Sequence, residues 1–349
     1  MTKIEIESEE DGSVRPVFVA APPPVPTPKI YKYLSLFTLV VQTTSIILLL
    51  RVTRTAAGEK YISSTAVTMT EVLKVIICLV VMLVQSGGDV VDVVRTLYNE
   101  IWMKPKETAK LIIPAALYTV QNNLLFLALY HLDAATYQVT YQLKILTTAL
   151  FSVTMLSKRI QIHQWGALVL LTAGVALVQL PSGESKPNNK APDASVVVGL
   201  VAVITACFSS GFSGVYFEKI LKGSRTTLWI RNIQLGAPSV ILGLLGVLFN
   251  DYEAVRDKGF FQGYNYLTVL VIFCHGVGGI IVALTIRYAD NILKCFASAV
   301  SIILSCFVSY VFLNDFVPTI AFVFGAVMVI IATFLYGYEK PDPVPIHKA

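Results

Sequence analysis

From residue 31 to residue 338 the chain is built of apolar runs of about 20 residues, separated by short polar stretches. Ten can be bounded: 31–50, 61–86, 109–130, 134–156, 162–180, 196–218, 227–249, 264–287, 290–313 and 317–338. A helix rises about 1.5 Å per residue, so each run covers the roughly 30 Å of bilayer hydrocarbon. The pattern predicts an all-α polytopic membrane protein of about ten transmembrane helices. A transmembrane barrel is excluded, because its strands are about half as long and alternate apolar with polar residues.

The flanks read differently. Residues 1–30 carry an acidic cluster, Glu5 to Asp11, and then the proline run Pro22 to Pro28. That composition predicts a disordered tail, and it lacks the order of a secretory signal. Residues 339–349 form a second short tail. Within residues 31–338 the spacing suggests two five-helix halves, about 31–180 and 196–338. Asp133 precedes the fourth span and Asp290 the ninth, and 24 residues after each comes a polar turn, at Ser157 and at Asn314. Five spans per half make the halves inverted, an arrangement typical of transporters.

Composition strengthens this picture. Of 349 residues, 55% are hydrophobic and 14% charged, against about a quarter charged in soluble domains. A water-soluble enzyme of this length is excluded. With both tails on one side, sixteen of the 27 Lys and Arg fall on that side and seven on the other, which predicts cytosolic termini. The net charge of +5 therefore marks span ends and implies no nucleic acid. The five cysteines, Cys78, Cys207, Cys274, Cys295 and Cys306, lie in apolar runs and read as buried free thiols. No residue set has metal-ligand or catalytic spacing, so no enzyme, metal or cofactor is implied.

Candidate chemistry comes from ions where lipid should be: Glu71, Lys74, Lys144, Arg231 and Lys294. An ion at mid-membrane costs roughly 2.5–3.5 kcal/mol on insertion scales, so each needs a reason. Glu71 and Lys74 share a helical face and can neutralise each other. Lys294 can pair with Asp290 one turn earlier; Lys144 has no acid nearby. Together they predict an interior that attracts an anion, with phosphate the natural match. Beside them, Tyr137, Tyr141 and Lys144 form one stripe, and Tyr118 and Asn122 another. Rings stack on a nucleobase and amides read its edge, so the set suits a nucleotide. Interhelical hydrogen bonding is the alternative use of those amides. Gly211, Gly214, Gly276, Gly278 and Gly279 read as close helix contacts.

Six strings carry a resemblance to the Golgi nucleotide-sugar transporters of the drug/metabolite transporter superfamily. They are Ser64–Lys74, Tyr118–Asn123, Leu132–Lys144, Phe208–Lys219, Leu228–Gln234 and Tyr288–Lys294. The chain is most similar to the branch carrying UDP-N-acetylglucosamine and UDP-galactose. The resemblance implies two inverted five-helix halves, cytosolic termini, a Golgi membrane location, and exchange of a cytosolic UDP-sugar for lumenal UMP by alternating access. It also implies substrate contacts from Glu71, Lys74, Tyr118, Asn122, Tyr137, Gln138, Tyr141, Lys144, Ser210, Asn232 and Lys294. By this analogy Lys144 and Lys294 meet the phosphates, while Tyr118, Asn122 and Asn232 cradle base and ribose. At Gly236 the CMP-sialic acid branch tends to carry Tyr, so glycine there favours the UDP-sugar branch. A CMP-sialic acid/CMP antiporter of the same fold stays open. So does a non-transporting scaffold for glycosyltransferases. Expected partners are UDP-sugar, UMP and membrane lipid, with self-association or glycosyltransferase binding undecided.

Overall fold

The computed structural model describes residues 3–8, 14–19, 29–55, 59, 61–180, 193–224, 226–313 and 316–338. Part of the N-terminal tail departs from expectation: β1 (Lys3–Ser8) pairs antiparallel with β2 (Val14–Val19), Lys3 opposite Val19. The cause is legible in Lys-Ile-Glu-Ile-Glu, an alternation of period two that composition alone conceals. The proline run, residues 181–192, the expected turn at Asn314–Asp315 and the expected tail 339–349 lie outside the described residues.

All ten expected spans are helical. They are α1 (Lys29–Thr55), α2 (Ser63–Gln85), then, after the short α3 (Val90–Leu97), α4 (Pro105–His131). The fourth span is split into α5 (Ala134–Tyr141) and α6 (Lys144–Leu156), and the fifth is α7 (Ile162–Val178). The second half follows as α8 (Asp193–Lys222), α9 (Leu228–Asn250), the short α10 (Tyr252–Lys258), α11 (Tyr266–Tyr288), α12 (Asn291–Val308) and α13 (Ile320–Gly337). Among the described residues nine helical segments are long and apolar enough to cross a membrane; α7 is shorter, at 17 residues, within the lower limit for a span.

Helix packing carries the inverted repeat. Under exchange of span n with span n+5, α2 on α9 and α7 on α13 map onto themselves. The contact of α4 with α8 maps onto that of α11 with α1, α6 with α8 onto α12 with α1, and α4 with α9 onto α11 with α2. Local chemistry repeats too. Asp133 accepts from the backbone of Ala135 and Thr136 to cap α5, and Asp290 accepts from Leu293 to cap α12. At the α7–α13 crossing the two backbones meet at Gly174 and Gly325. A Cβ on Gly174 would stand 2.9 Å from the Gly325 carbonyl, and one on Gly325 2.6 Å from that of Gly174. Only glycine allows that approach.

The symmetry is broken at one end. The α11–α12 corner, Ala289–Asp290, closes against α8, and α11 and α12 also touch α9 and α7. The mirror contacts of the α4–α5 corner, with α1, α2 and α13, are absent or marginal. Lys158, turned back by Ser157 at φ +53°, pairs with Asp290 at 2.5 Å. Lys222 pairs with Glu218 and donates to the Ala289 carbonyl, while Glu218 accepts from the Asn291 backbone. The bundle is therefore clasped at the end holding Lys29 and Gly337, and lacks that clasp at the other.

Candidate substrate cavity

Two adjoining cavities share the wall at Val282 of α11. The larger, about 870 Å³, lies among α2, α4, α9 and α11, and the smaller, about 300 Å³, among α1, α6, α8 and α12. Glu71, Lys74, Tyr118, Asn122 and Asn232 line the first, while Lys144, Ser210 and Lys294 line the second.

In the larger cavity the two ions of α2 face each other, Lys74 Nζ to Glu71 at 2.5 Å. Gly236 of α9 and Gly279 of α11 press on this pair. A Cβ at 236 would lie 2.8 Å from Val75 Cγ2 and 3.5 Å from Lys74 Cε; one at 279 would lie 3.1 Å from Lys74 Cδ. Asn232 donates to the Leu228 carbonyl at 2.9 Å, which leaves its side-chain oxygen for a ligand.

The smaller cavity sits where the fourth span breaks. Gln142 and Leu143 bond to carbonyls three residues back, tightening the helix without Pro or Gly. The break brings Lys144 Nζ to 3.9 Å from the Tyr141 ring centre, with Tyr137 stacked on Tyr141 at 6.0 Å. Neither Lys144 nor Lys294 joins an ion pair among the described residues. Asp290, the neighbour expected for Lys294, is taken by Lys158. Asn291 completes the wall, and its buried Oδ1 has no hydrogen-bond partner among the described residues.

Several residues stand elsewhere. Tyr137 and Tyr141 pack against Ala128, Leu132, Ala202 and Val203, and neither they nor Gln138 line either cavity; Gly236, expected to open room, lines neither and instead faces Val75. Arg231 adds nothing to the cavity charge: it is 1% exposed and donates to Glu107, Gln234 and Ser224. Among the cysteines, Cys274 and Cys295 are half-buried rather than buried, and Cys295 lines the smaller cavity. Gln142, Gln179 and Asn291 are lining residues that local reading missed. A polar residue beside a lone lysine was the available signal for Gln142. No group of His, Cys, Asp and Glu among the described residues is placed to hold a metal.

A helical bundle with an internal repeat, around two adjoining cavities of which the smaller carries Lys144 and Lys294, is the arrangement of a carrier-type membrane protein. The nucleotide-sugar transporter family profile matches residues 27–337. The chain belongs to that family. It is 56% identical over 317 residues to a Bos taurus UDP-N-acetylglucosamine transporter, covering 90% of this chain and 96% of the relative. The Homo sapiens protein of that name is 55% identical over 316 residues, covering 90% and 96%. A Homo sapiens UDP-galactose translocator is 46% identical over 312 residues, covering 88% and 78%. One crystal structure superposes with a TM-score of 0.62 at 14% identity, covering 88% of this chain and 98% of that one, a likeness of fold. The protein is thus a multi-pass nucleotide-sugar transporter and not an enzyme.

Proposed function

We propose that this protein is a Golgi antiporter that brings UDP-N-acetylglucosamine, UDP-galactose or both into the lumen in exchange for UMP. The observation that carries the reading is the pair of lysines, Lys144 and Lys294, on one cavity wall without an ion-pair partner among the described residues. A mid-span lysine costs roughly 2.5–3.5 kcal/mol, and a ring face such as Tyr141 returns about 0.5–2 kcal/mol. The deficit is what a bound diphosphate or monophosphate would fill. The nucleoside then occupies the larger cavity, beside Tyr118, Asn122 and Asn232, within reach of Glu71 and Lys74. Gly236 acts behind that space, letting α9 pack against Val75 and the Glu71–Lys74 pair. Tyr141, with Tyr137 stacked on it, supports Lys144 from the other half of the broken span.

Exchange follows from the same electrostatics. An empty cavity holding two uncompensated cations passes through an occluded state at high cost, so reorientation without an anion is slow. The excess of Lys and Arg on the tails' side supports cytosolic termini, which makes the clasped end cytosolic and the state described here lumen-facing. The relatives' names favour UDP-sugars over CMP-sialic acid. Thermal-shift competition tests the choice of nucleotide: UMP and UDP-sugars should stabilise the purified protein at concentrations at which CMP does not. CMP acting at tenfold lower concentration than UMP would overturn the uridine assignment, and no shift with any nucleotide would favour a scaffold role.

A further inference from the structure

The smaller cavity holds more than the phosphate anchor. Beyond Lys144 and Lys294 it is walled by Gln142 at the break of the fourth span and by Gln179 at the end of α7, where Gln142 Nε2 donates to Gln179 Oε1 at 2.8 Å. We propose that this glutamine pair recognises the 2-acetamido group of an N-acetylhexosamine and sets the carrier's preference for it over plain hexoses. The proposal rests on the UDP-sugar reading above.

Three features converge. The first is size: at about 30 Å³ per water, the roughly 300 Å³ cavity has the room of about ten waters, enough for one sugar ring with its substituent beside the phosphates. The second is position. In a UDP-sugar the C2 substituent is adjacent to the carbon bearing the diphosphate, so whatever reads it must stand close to the phosphate anchor. Gln142 is two residues from Lys144, and their Cα atoms are at most about 7.6 Å apart.

The third is hydrogen-bonding capacity. Each glutamine amide has two N–H donors and one carbonyl acceptor. Their mutual bond uses one donor of Gln142 and one lone pair of Gln179, so the pair still offers both kinds of group. An acetamido group needs both, an acceptor for its N–H and a donor for its C=O. A hexose hydroxyl also donates and accepts, but from a single oxygen, so it cannot span two amides as the separated N–H and C=O of an acetamido group do, and it carries no methyl. The methyl finds aliphatic wall at Val175 and Ala299. Gln142 is 4% exposed, so an unanswered amide there is costly when the ligand lacks the matching group.

The alternative for this pair is a staple that only ties the broken span to α7. Transport kinetics in UMP-loaded proteoliposomes separate the two, using Gln142→Leu, Gln179→Leu and Gln179→Asn with UDP-N-acetylglucosamine and UDP-galactose offered separately. The expected result is that each Leu variant raises KM for UDP-N-acetylglucosamine about tenfold more than KM for UDP-galactose or the inhibition constant of UMP. Gln179→Asn should retain part of the discrimination. An equal change for both sugars and UMP, or a lowered unfolding temperature with an unchanged KM ratio, would overturn the proposal. If Gln142→Leu does not fold, Gln179→Leu decides alone. Failure of the wild-type protein to take up any UDP-sugar would instead refute the underlying reading.

Discussion

At the residue scale, ions inside the membrane divide by their partners. Glu71 and Lys74 answer each other and Arg231 is answered by Glu107, while Asp290, just before the ninth span, is answered by Lys158. Lys144 and Lys294 join no ion pair among the described residues, as the proposed anion site requires. Lys144→Ala or Lys294→Ala should therefore weaken UMP binding at least tenfold, while ligand-free thermal stability holds or rises. A thermal-shift titration measures both, and wild-type affinity in either variant would remove that lysine from the site. Gly236→Tyr should cut UDP-sugar uptake at least tenfold by forcing Val75 and the Glu71–Lys74 pair aside. Unchanged uptake in proteoliposomes would show that position to be spacious. What the sequence concealed here is distance along the chain. Arg231 lies 124 residues from Glu107 and Lys158 132 from Asp290, so nearby residues suggested a free arginine and a Lys294–Asp290 pair.

At the element scale, the spans were legible because lipid demands about 20 apolar residues and little else matches that length. The break between α5 and α6 was not, since neither Pro nor Gly marks it, and tertiary contacts such as the Cys207 thiol on the Tyr141 carbonyl help hold it. Two elements invite tests. Gly174→Val would drive a side chain into the Gly325 carbonyl and should lower the unfolding temperature markedly or abolish a monodisperse elution profile. A stable variant would mean that the crossing can relax. The corner clasp is the other. Burial disfavours the Asp290 carboxylate, but Lys158 overrides it and holds its pKa below the ordinary 3.8. Burial likewise opposes the Lys158 ammonium, and Asp290 raises it above 10.5. A depressed acid loses its contribution only as pH falls below 3.8, and a raised lysine only as pH climbs above 10.5. The pair should thus hold the clasp at constant strength from about pH 5 to pH 9. Lys158→Ala should increase labelling of a cysteine placed at the clasped end, and by a similar factor at pH 5.5 and 7.5. Equal labelling in variant and parent would leave the closure to the helix contacts.

At the scale of the whole molecule, two inverted halves hold the same helix pairings and differ in one corner. Twofold spacing of Asp133 and Asp290 made the repeat readable before any coordinate, whereas which corner is docked depends on packing that no local pattern encodes. Exchanging the roles of the halves defines the opposite state: the α4–α5 corner against α1, α2 and α13, with the Lys158–Asp290 pair parted. Under the proposed alternating access, the two cavities, walled by both halves, would then face the other side without being rebuilt. The N-terminal hairpin was missed because acidic and proline-rich composition outweighed a short alternation.

Counterflow in sealed proteoliposomes tests the central claim most directly. Vesicles preloaded with UMP, with CMP or with buffer are offered labelled UDP-N-acetylglucosamine and UDP-galactose. Uptake that requires internal UMP, stops when UMP is replaced by buffer, and disappears in Lys144→Ala is the predicted result. Equal uptake into buffer-loaded vesicles would contradict obligate exchange, and with it the role of two uncompensated lysines as the barrier to an empty carrier.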